Sequence, residues 1–181
     1  KSFDSYIMGP LNDDNSLSFR VGAHYFERDG YLTNSFLGIS PDNQDHLSGA
    51  GSIYWNISDN WEISLSASYD DYNDGSSRLT SLASDPFVLN SDIRGSSQQS
   101  AESQSLRMAY ENDTLKFLSV TSRRNWEMSP YYFDLDFSPN PGNDSIIYQE
   151  QDSVSQEFRF SSTNDSTLEW TGGAFFGETE L

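Results

Sequence analysis

The sequence predicts an all-β fold, namely a segment of an antiparallel up-and-down transmembrane β-barrel with long extracellular loops and short periplasmic turns. Three observations indicate this fold. Apolar and polar residues alternate along much of the chain, short turn-like stretches alternate with long polar ones, and the composition is polar yet rich in aromatic rings. Of the 181 residues 35% are hydrophobic and 14% are aromatic, and the net charge is −18. Disordered chains are poor in aromatic residues, so this charge does not indicate disorder.

The strands are predicted from strict alternation. In residues 17–25 every odd-numbered position is apolar, while the even-numbered positions hold Ser, Arg, Gly and His. Residues 61–69 and 168–176 repeat this pattern, and their apolar positions carry no charge. Shorter versions lie at 51–57, 106–110 and 156–160. Successive side chains of a strand point to opposite faces, so a period of two indicates strands with one apolar and one polar face.

The connections between these strands are unequal in length. The short ones, rich in Asn, Asp, Gly and Ser, are 9–15, 58–60, 111–114 and 161–166. The long polar ones are 28–47, 71–102 and 127–152. Asn, Asp and Gly suit tight reversals because they tolerate left-handed backbone or bond to their own backbone. Loops longer than about 15 residues are uncommon in compact soluble domains, whereas outer-membrane barrels combine long extracellular loops with short periplasmic turns.

The composition also excludes several classes of function. Ten Lys and Arg residues against 28 Asp and Glu leave no basic face for a nucleic acid partner. No run of about 20 apolar residues is present to form a transmembrane helix. Because the chain has no Cys and only two histidines, His24 and His46, we expect no metal site, no cofactor and no catalytic residues, and hence no enzyme.

Two other folds share part of the pattern. A β-sandwich, such as a secreted carbohydrate-binding module, also alternates, because its strands have one buried and one solvated face. A complete eight-stranded outer-membrane barrel of the OmpA or OmpX type, acting as an adhesin or structural protein, would have a similar strand count. The unequal loops and the aromatic residues near strand ends favour a membrane barrel. The N-terminus lacks the pattern of a signal peptide and the C-terminus stops within an alternating pattern, so we expect a segment of a longer protein.

Four segments carry a resemblance to a known family. Residues 8–31 combine a Gly-Pro-Leu turn with a strand and a final Arg-Asp-Gly-Tyr stretch, and residues 55–70 have the pattern of the hairpin that follows. Residues 115–124 contain a Ser-Val-Thr core, and residues 152–160 contain Gln-Glu-Phe-Arg. In this order and spacing, the four segments resemble the barrel of TonB-dependent outer-membrane receptors of the siderophore or iron-complex type.

The resemblance implies that residues 1–181 form part of a 22-stranded barrel, from about its second to its ninth strand, without the N-terminal plug domain. It also implies a Gram-negative outer-membrane receptor that imports a scarce nutrient, most often a ferric siderophore or another iron complex. The partners would be that cargo, the TonB complex through the absent N-terminal regions, and outer-membrane lipid. Where family members often have Tyr-Arg, this chain has Arg123 and Arg124, and Arg123 would face lipid or the membrane interface.

Two sets of residues are predicted to be functional in such a barrel. Ferric chelates are often anionic and carry rings, so an arginine beside aromatic residues would suit them. The predicted ligand contacts near the long loops are Tyr31, Arg124, Trp126, Tyr131 and Tyr132. The predicted polar lattice of the lumen, which would face the plug, consists of Arg20, Glu62, Arg107, Glu157 and Arg159.

Overall fold

The computed structural model describes residues 1–75, 85–163 and 168–181, and in these ranges the chain contains strands and no helix. The strands are β1 (Ser2–Pro10), β2 (Leu17–Arg28), β3 (Thr33–Asn34), β4 (Gln44–Ser58), β5 (Trp61–Asp74), β6 (Val88–Leu89), β7 (Ser96–Glu111), β8 (Leu115–Asp134), β9 (Asp144–Ser162) and β10 (Thr171–Glu180). Eight of them form one antiparallel sheet in the order β1-β2-β4-β5-β7-β8-β9-β10. The short strands β3 and β6 pair in parallel in a separate sheet.

The large sheet has the up-and-down topology that the sequence predicts. Each long strand pairs with the long strands that precede and follow it in the chain, and the predicted number of about eight strands is confirmed. Strands β1 and β10 each pair on one side only, so the sheet is not closed. A sandwich would need a second sheet packed on the first, and a complete eight-stranded barrel would need β1 paired with β10. The described residues show neither arrangement.

The large sheet has almost no hydrophobic core. Among the described residues, Leu89 of β6 is the one buried hydrophobic side chain, and it lies outside this sheet. By contrast, Ile7, Leu65 and Phe176 are each at least half exposed. A water-soluble chain of about 180 residues buries roughly 70% of the surface that it exposes when unfolded. One side of the sheet therefore carries large apolar side chains that the described residues leave exposed.

The strand register gives the sheet one apolar and one polar face. Phe19 of β2, Ile53 of β4, Leu65 of β5 and Leu106 of β7 lie beside one another in a single row. The side of the sheet that carries this row is named the apolar face, and the opposite side is named the polar face. Because side chains alternate along each strand and the strands pair in register, the separate alternating runs combine into two continuous surfaces.

The strands extend further than the alternation predicts. The long connections of the large sheet are 29–43, 75–95 and 135–143, and 76–84 lie outside the described residues. The predicted loops 28–47, 71–102 and 127–152 are therefore too long. Near the loops both faces are polar, as in the row of Asp71, Ser100 and Glu127 on the apolar side. The backbone hydrogen bonds between neighbouring strands continue there without apolar side chains. The strands therefore extend beyond the residues in which apolar and polar side chains alternate.

The short connections are turns held largely by Asn side chains. Between β1 and β2, Asn12 Oδ1 accepts a hydrogen bond from the N–H of Leu17 at 3.0 Å. Between β7 and β8, Asn112 Oδ1 accepts hydrogen bonds from the N–H groups of Thr114 and Leu115 at 2.9 and 2.8 Å. Residues 59 and 60 alone join β4 to β5. The first three predicted short turns are thus present. The fourth, 161–166, is described only in part, because residues 164–167 lie outside the described residues.

The three long connections meet at one end of the sheet, and their described parts are named the loop cluster (29–43, 85–95 and 135–143). Strands β3 and β6 join the first two connections. Asn34 of β3 is fully buried: its Nδ2 donates to Ser91 O at 2.8 Å, and its Oδ1 accepts from two backbone N–H groups that follow it, at 3.0 and 3.2 Å. The third connection is attached through the N–H of Asp92, which donates to Ser138 O at 3.2 Å.

Gly75, the residue after β5, is expected not to tolerate a side chain. Its N–H donates to Asn43 O at 2.8 Å, and a Cβ built on it would lie 1.6 Å from Pro41 O. Because that oxygen belongs to the backbone, Gly75→Ala should separate the loop cluster from the end of β5. We expect limited proteolysis to cut the Gly75→Ala variant within 29–43 faster than it cuts the wild type.

The matched control for this prediction is Gly49→Ala in β4. A Cβ at Gly49 would meet nothing nearer than Gly22 O at 3.9 Å, which is an ordinary contact. Cleavage of Gly49→Ala should therefore follow the wild-type pattern. If Gly75→Ala resists proteolysis as well as Gly49→Ala does, the close packing of Gly75 on Pro41 is wrong.

Candidate functional site

The middle of the polar face is a belt of small polar side chains. One row across five strands consists of Ser52, Ser66, Ser105, Ser122 and Ser155. The next row towards the loop cluster contains Ser68, Ser103, Arg124 and Ser153. These two rows, between β4 and β9, are named the serine belt. Because serine side chains are short, a molecule bound at the polar face could approach the strand backbone closely. The serine hydroxyls can both donate and accept hydrogen bonds.

When the two rows are extended to the other strands of the sheet, their charged residues are two arginines. Arg124 of β8 lies between Ser103 and Ser153, and Arg20 of β2 lies beside Ser52. Followed across all eight strands, the two rows contain no acidic residue. Within the described ranges neither guanidinium has an ion-pair partner. In a chain with 28 acidic residues, this middle zone of the polar face is a local region of positive charge.

The five residues of the predicted lumen lattice all lie on the polar face. Arg107 of β7 forms an ion pair with Glu62 of β5, and Arg159 Nη2 lies 2.5 Å from Glu157 Oε1 within β9. Arg20 stands apart from both pairs, so the five residues do not form one connected lattice. All four paired side chains are at least one-third exposed, so each pair is worth at most about 1 kcal/mol. Contact with a plug stays a prediction.

The structure does not bring the five predicted ligand contacts together. Tyr31, in the loop cluster, is 68% exposed, and the guanidinium of Arg28 lies 4.5 Å from the centroid of its ring. Arg124 and Trp126 lie on the polar face of β8, where Trp126 is beside Ala101 and partly buried. Tyr31 is therefore a loop residue, as predicted, whereas Arg124 and Trp126 belong to the wall of the sheet.

Tyr131 and Tyr132 also lie in β8, so their predicted location in a loop is wrong. The register shifts between Met128 and Tyr131, after which pairing with Ser97 keeps Tyr131 on the polar face. Its ring stacks on Phe133 at a centroid distance of 4.7 Å. Tyr132, one residue along, lies on the opposite side. The two tyrosines consequently cannot contact the same ligand on the polar face.

An aromatic group on the polar face, next to the loop cluster, escaped the sequence reasoning. His46 of β4 lies between Phe26 of β2 and Tyr72 of β5, with ring centroids 5.4 and 4.7 Å apart. His46 Nε2 lies 2.8 Å from Asp74 Oδ1. Counting by twos along each strand from its polar-face residues would have placed these rings together. That signal was weak because both faces are polar or aromatic in this part of the strands.

The described residues contain neither a membrane-spanning helix nor a metal-binding cluster. No helix among them is long and apolar enough to cross a bilayer. Their His, Asp and Glu side chains form no group of three or more that could hold a metal ion. The two histidines form separate pairs instead, with His24 Nδ1 at 2.6 Å from Asp4 Oδ1 and His46 bonded to Asp74.

Between β2 and β7 the apolar face ends along a slanting border on the side of the loop cluster. On β2 its last apolar residue is Tyr25, whereas on β7 it is Leu106, after which Gln104 and Glu102 follow. The row of Leu106 crosses β2 at Phe19, which is six residues before Tyr25 (25 − 19). The border therefore shifts by six residues along the strands over the three steps from β2 to β4, β5 and β7.

Strands that tilt across a level membrane produce such a slant. With strands about 4.8 Å apart and tilted by about 45°, each step between neighbours shifts a row by roughly 3.4 Å along the membrane normal, while each residue rises about 2.3 Å. Three steps then correspond to about four to five residues, close to the observed shift. Arg123 of β8 lies on the apolar side beside Gln104, and its Nη2 is 3.4 Å from Asp152 Oδ1. The register thus places Arg123 at the polar border of this face.

The fold is similar to parts of solved receptor structures. The ferric yersiniabactin uptake receptor FyuA from Yersinia pestis matches with a TM-score of 0.78 and 17% identity, covering 98% of this chain and 28% of that one. FpvAI in its complex with pyocin S2 matches with a TM-score of 0.69 and 14% identity, covering 98% of this chain and 26% of that one. P. aeruginosa FpvA bound to heterologous pyoverdines matches with a TM-score of 0.67 and 14% identity, covering 98% of this chain and 25% of that one. The chain thus spans about a quarter of the length of these proteins, and the likeness concerns the fold. No family model matches the sequence.

Proposed function

We propose that the chain is a barrel segment of a TonB-dependent outer-membrane receptor that imports a scarce nutrient, namely a ferric siderophore or another iron complex. The observation that carries this proposal is the apolar border that slants from β2 to β7 on an open, eight-stranded antiparallel sheet. In this proposal residues 1–181 are part of the barrel domain, and the apolar face contacts the lipid of the bacterial outer membrane. The segment performs no catalysis of its own.

The exposure of the apolar face supports contact with lipid. The central rows of this face carry side chains such as Ile53, Leu65 and Leu106 and no charged residue between β2 and β7. In hydrocarbon a lysine or arginine at the midplane of a barrel costs about 2–4 kcal/mol. The rings of Trp61 and Tyr110, with centroids 5.0 Å apart next to the short turns, lie where barrels carry an aromatic girdle.

The polar face would line the lumen, and the loop cluster would face the outside. FyuA takes up ferric yersiniabactin and FpvA was solved with ferric pyoverdines bound, so iron chelates are the cargo that the fold likeness suggests. Of the predicted contacts, Tyr31 is placed to meet cargo at the loops, and Arg124, Trp126 and Tyr131 to meet it along the wall. The plug and the TonB contact would be supplied by regions outside residues 1–181.

Uptake by the whole protein that contains this segment tests the proposal. We would produce it in a Gram-negative host without siderophore receptors of its own, under iron limitation, and measure accumulation of radioactive iron from ferric yersiniabactin, ferric pyoverdine, ferric citrate and a ferric trihydroxamate. We expect accumulation from at least one chelate, which disappears in a matched host without TonB. Recovery of the protein in the aqueous fraction, or no TonB-dependent accumulation from any chelate, would contradict the proposal.

A further inference from the structure

A groove on the polar face joins the two unpaired arginines. A cavity of about 290 Å³ lies between β1, β2, β4 and β5, with Arg20 in its wall. An adjoining cavity of about 340 Å³ lies between β4, β5, β7 and β8, with Arg124 in its wall. Ala50 and Ser68 line both cavities, so the two form one depression across the wall. Each volume is near the lower end of the range for small-molecule sites, about 300–1,000 Å³.

The groove holds two arginines and is rich in hydroxyls. Arg124 lines the second cavity together with Ser103, Ser105 and Ser122, and no carboxylate lines that cavity. In the first cavity Arg20 has no ion-pair partner among the described residues. The two carboxylates of that cavity are Asp4, which lies 2.6 Å from His24, and Asp70, which the register places two rows nearer the loop cluster than Arg20. A guanidinium offers a planar fork of donors that matches a carboxylate, and neighbouring serines can donate to or accept from alcohol groups. The groove thus presents donors for carboxylates and partners for hydroxyls.

We infer that this groove binds a hydroxylated, carboxylate-bearing ferric chelate, with Arg124 and Arg20 as two successive seats for its carboxylates. This inference rests on the proposed function and narrows its cargo to one chemical class. The short serine side chains leave the space that such a chelate fills, and the two guanidinium groups, which lie in rows without a carboxylate, bind its carboxylates. A neutral or cationic chelate would leave both guanidinium groups unpaired, and it would bind less well for that reason.

Binding of two probe chelates to the whole detergent-solubilised protein tests this inference. Ferric citrate carries the carboxylates and hydroxyls that the groove would recognise, and a ferric trihydroxamate without carboxylates serves as the second probe. The variants are Arg20→Gln and Arg124→Gln. Arg123→Gln is the matched control, because Arg123 is the adjacent residue of β8, lies on the other face and pairs with Asp152.

We expect the wild type to bind ferric citrate more tightly than the trihydroxamate. Each of Arg20→Gln and Arg124→Gln should raise the Kd for ferric citrate roughly tenfold or more, because each removes a charge-assisted hydrogen bond. Arg123→Gln should bind as the wild type does. If Arg124→Gln fails to fold, Arg124→Lys keeps the charge and should bind ferric citrate more weakly than the wild type but more tightly than a trihydroxamate.

Three results would overturn the inference. The first is equal affinity of the wild type and both glutamine variants for ferric citrate. The second is no binding of ferric citrate while another chelate is imported, which leaves the proposed function standing. The third is a lower melting temperature of chelate-free Arg20→Gln and Arg124→Gln with unchanged ferric citrate binding, because the arginines would then hold carboxylates of the protein itself. If iron accumulation from every chelate were the same with and without TonB, the proposed function would be refuted instead.

Discussion

Replacement of Leu65 by lysine is expected to lower the free energy of unfolding of the membrane-embedded barrel by about 2–4 kcal/mol. Leu65 lies in the middle of the apolar run of β5, half exposed, between Ile53 and Leu106 in its row. If this face contacts hydrocarbon, the lysine ammonium must lose its hydration or be drawn to the interface. Denaturant unfolding of the whole protein in lipid vesicles measures the loss, and gel mobility without boiling gives the folded fraction.

The matched control for Leu65→Lys is Ser66→Lys. Ser66 is the next residue of β5 and belongs to the serine belt, so its side chain points to the polar face and lines the second cavity of the groove, where a lysine ammonium can keep its hydration. A lysine there should change the free energy of unfolding by less than about 1 kcal/mol. Equal losses for the two variants would show that the faces have been assigned wrongly. A larger loss for Ser66→Lys would place the hydrocarbon on the serine side.

Asn34→Ala is expected to have the second-largest effect, and to confine it to the loop cluster. The amide of Asn34 is fully buried and makes three hydrogen bonds, at 2.8, 3.0 and 3.2 Å. Its removal leaves Ser91 O and two backbone N–H groups unsatisfied, and a buried polar group without a partner costs about 1–3 kcal/mol. The local free energy of opening should fall by about 2–3 kcal/mol, which hydrogen exchange in peptides from 29–43 and 85–95 would measure.

Asn90→Ala provides the control in the same pair of connections. Asn90 is exposed, and its Oδ1 accepts one hydrogen bond from Ser35 at 3.3 Å. We expect nearly wild-type hydrogen exchange in this variant, and unfolding of the large sheet unchanged in both variants, because the loop cluster lies at one end of it. Identical exchange for Asn34→Ala and the wild type would mean that Asn34 does not hold the two connections together.

The charge of the loop cluster also has a local structural role. Asp136 lies in the connection 135–143, where its Oδ1 accepts a hydrogen bond from the N–H of Ser138 at 2.9 Å. Hydrogen bonds from Ser138 lower the pKa of Asp136 below its usual value. Acidic residues of this cluster are thus engaged in turn formation, and their presence does not by itself indicate a metal site.

Local pattern was sufficient for parts of six of the eight long strands and for their faces. A period of two depends on neighbouring residues only, so residues 17–25 and 61–69 show their apolar sides without any knowledge of the pairing. The Asn-rich turns are local as well, as Asn12 and Asn112 show by bonding to backbone groups within five residues. For the same reason the lumen-lattice residues Glu62 and Arg107 could be assigned to one face before their ion pair was known.

The ends of the strands could not be predicted in this way. Beyond Trp126 in β8 both faces are polar or aromatic, so the alternation no longer distinguishes strand from loop. Only pairing with β7 and β9, which continues to Asp134, extends the strand. The same pairing contains a register shift at Ser129 and Pro130, and after it Tyr131 and Tyr132 alternate between the two faces. Two neighbouring rings that looked like one binding feature in sequence therefore lie on opposite sides of the sheet.

The sequence by itself thus determined the all-β fold, parts of six of the eight long strands, the short turns, and the face on which each alternating side chain lies. Only the tertiary structure decided which residues share a row, and hence the serine belt, the groove between Arg20 and Arg124, and the pairing of β3 with β6. The physical reason is sequence separation. Side-chain direction along a strand is a local property, whereas a row is set by backbone hydrogen bonds between residues that are tens of positions apart in the chain.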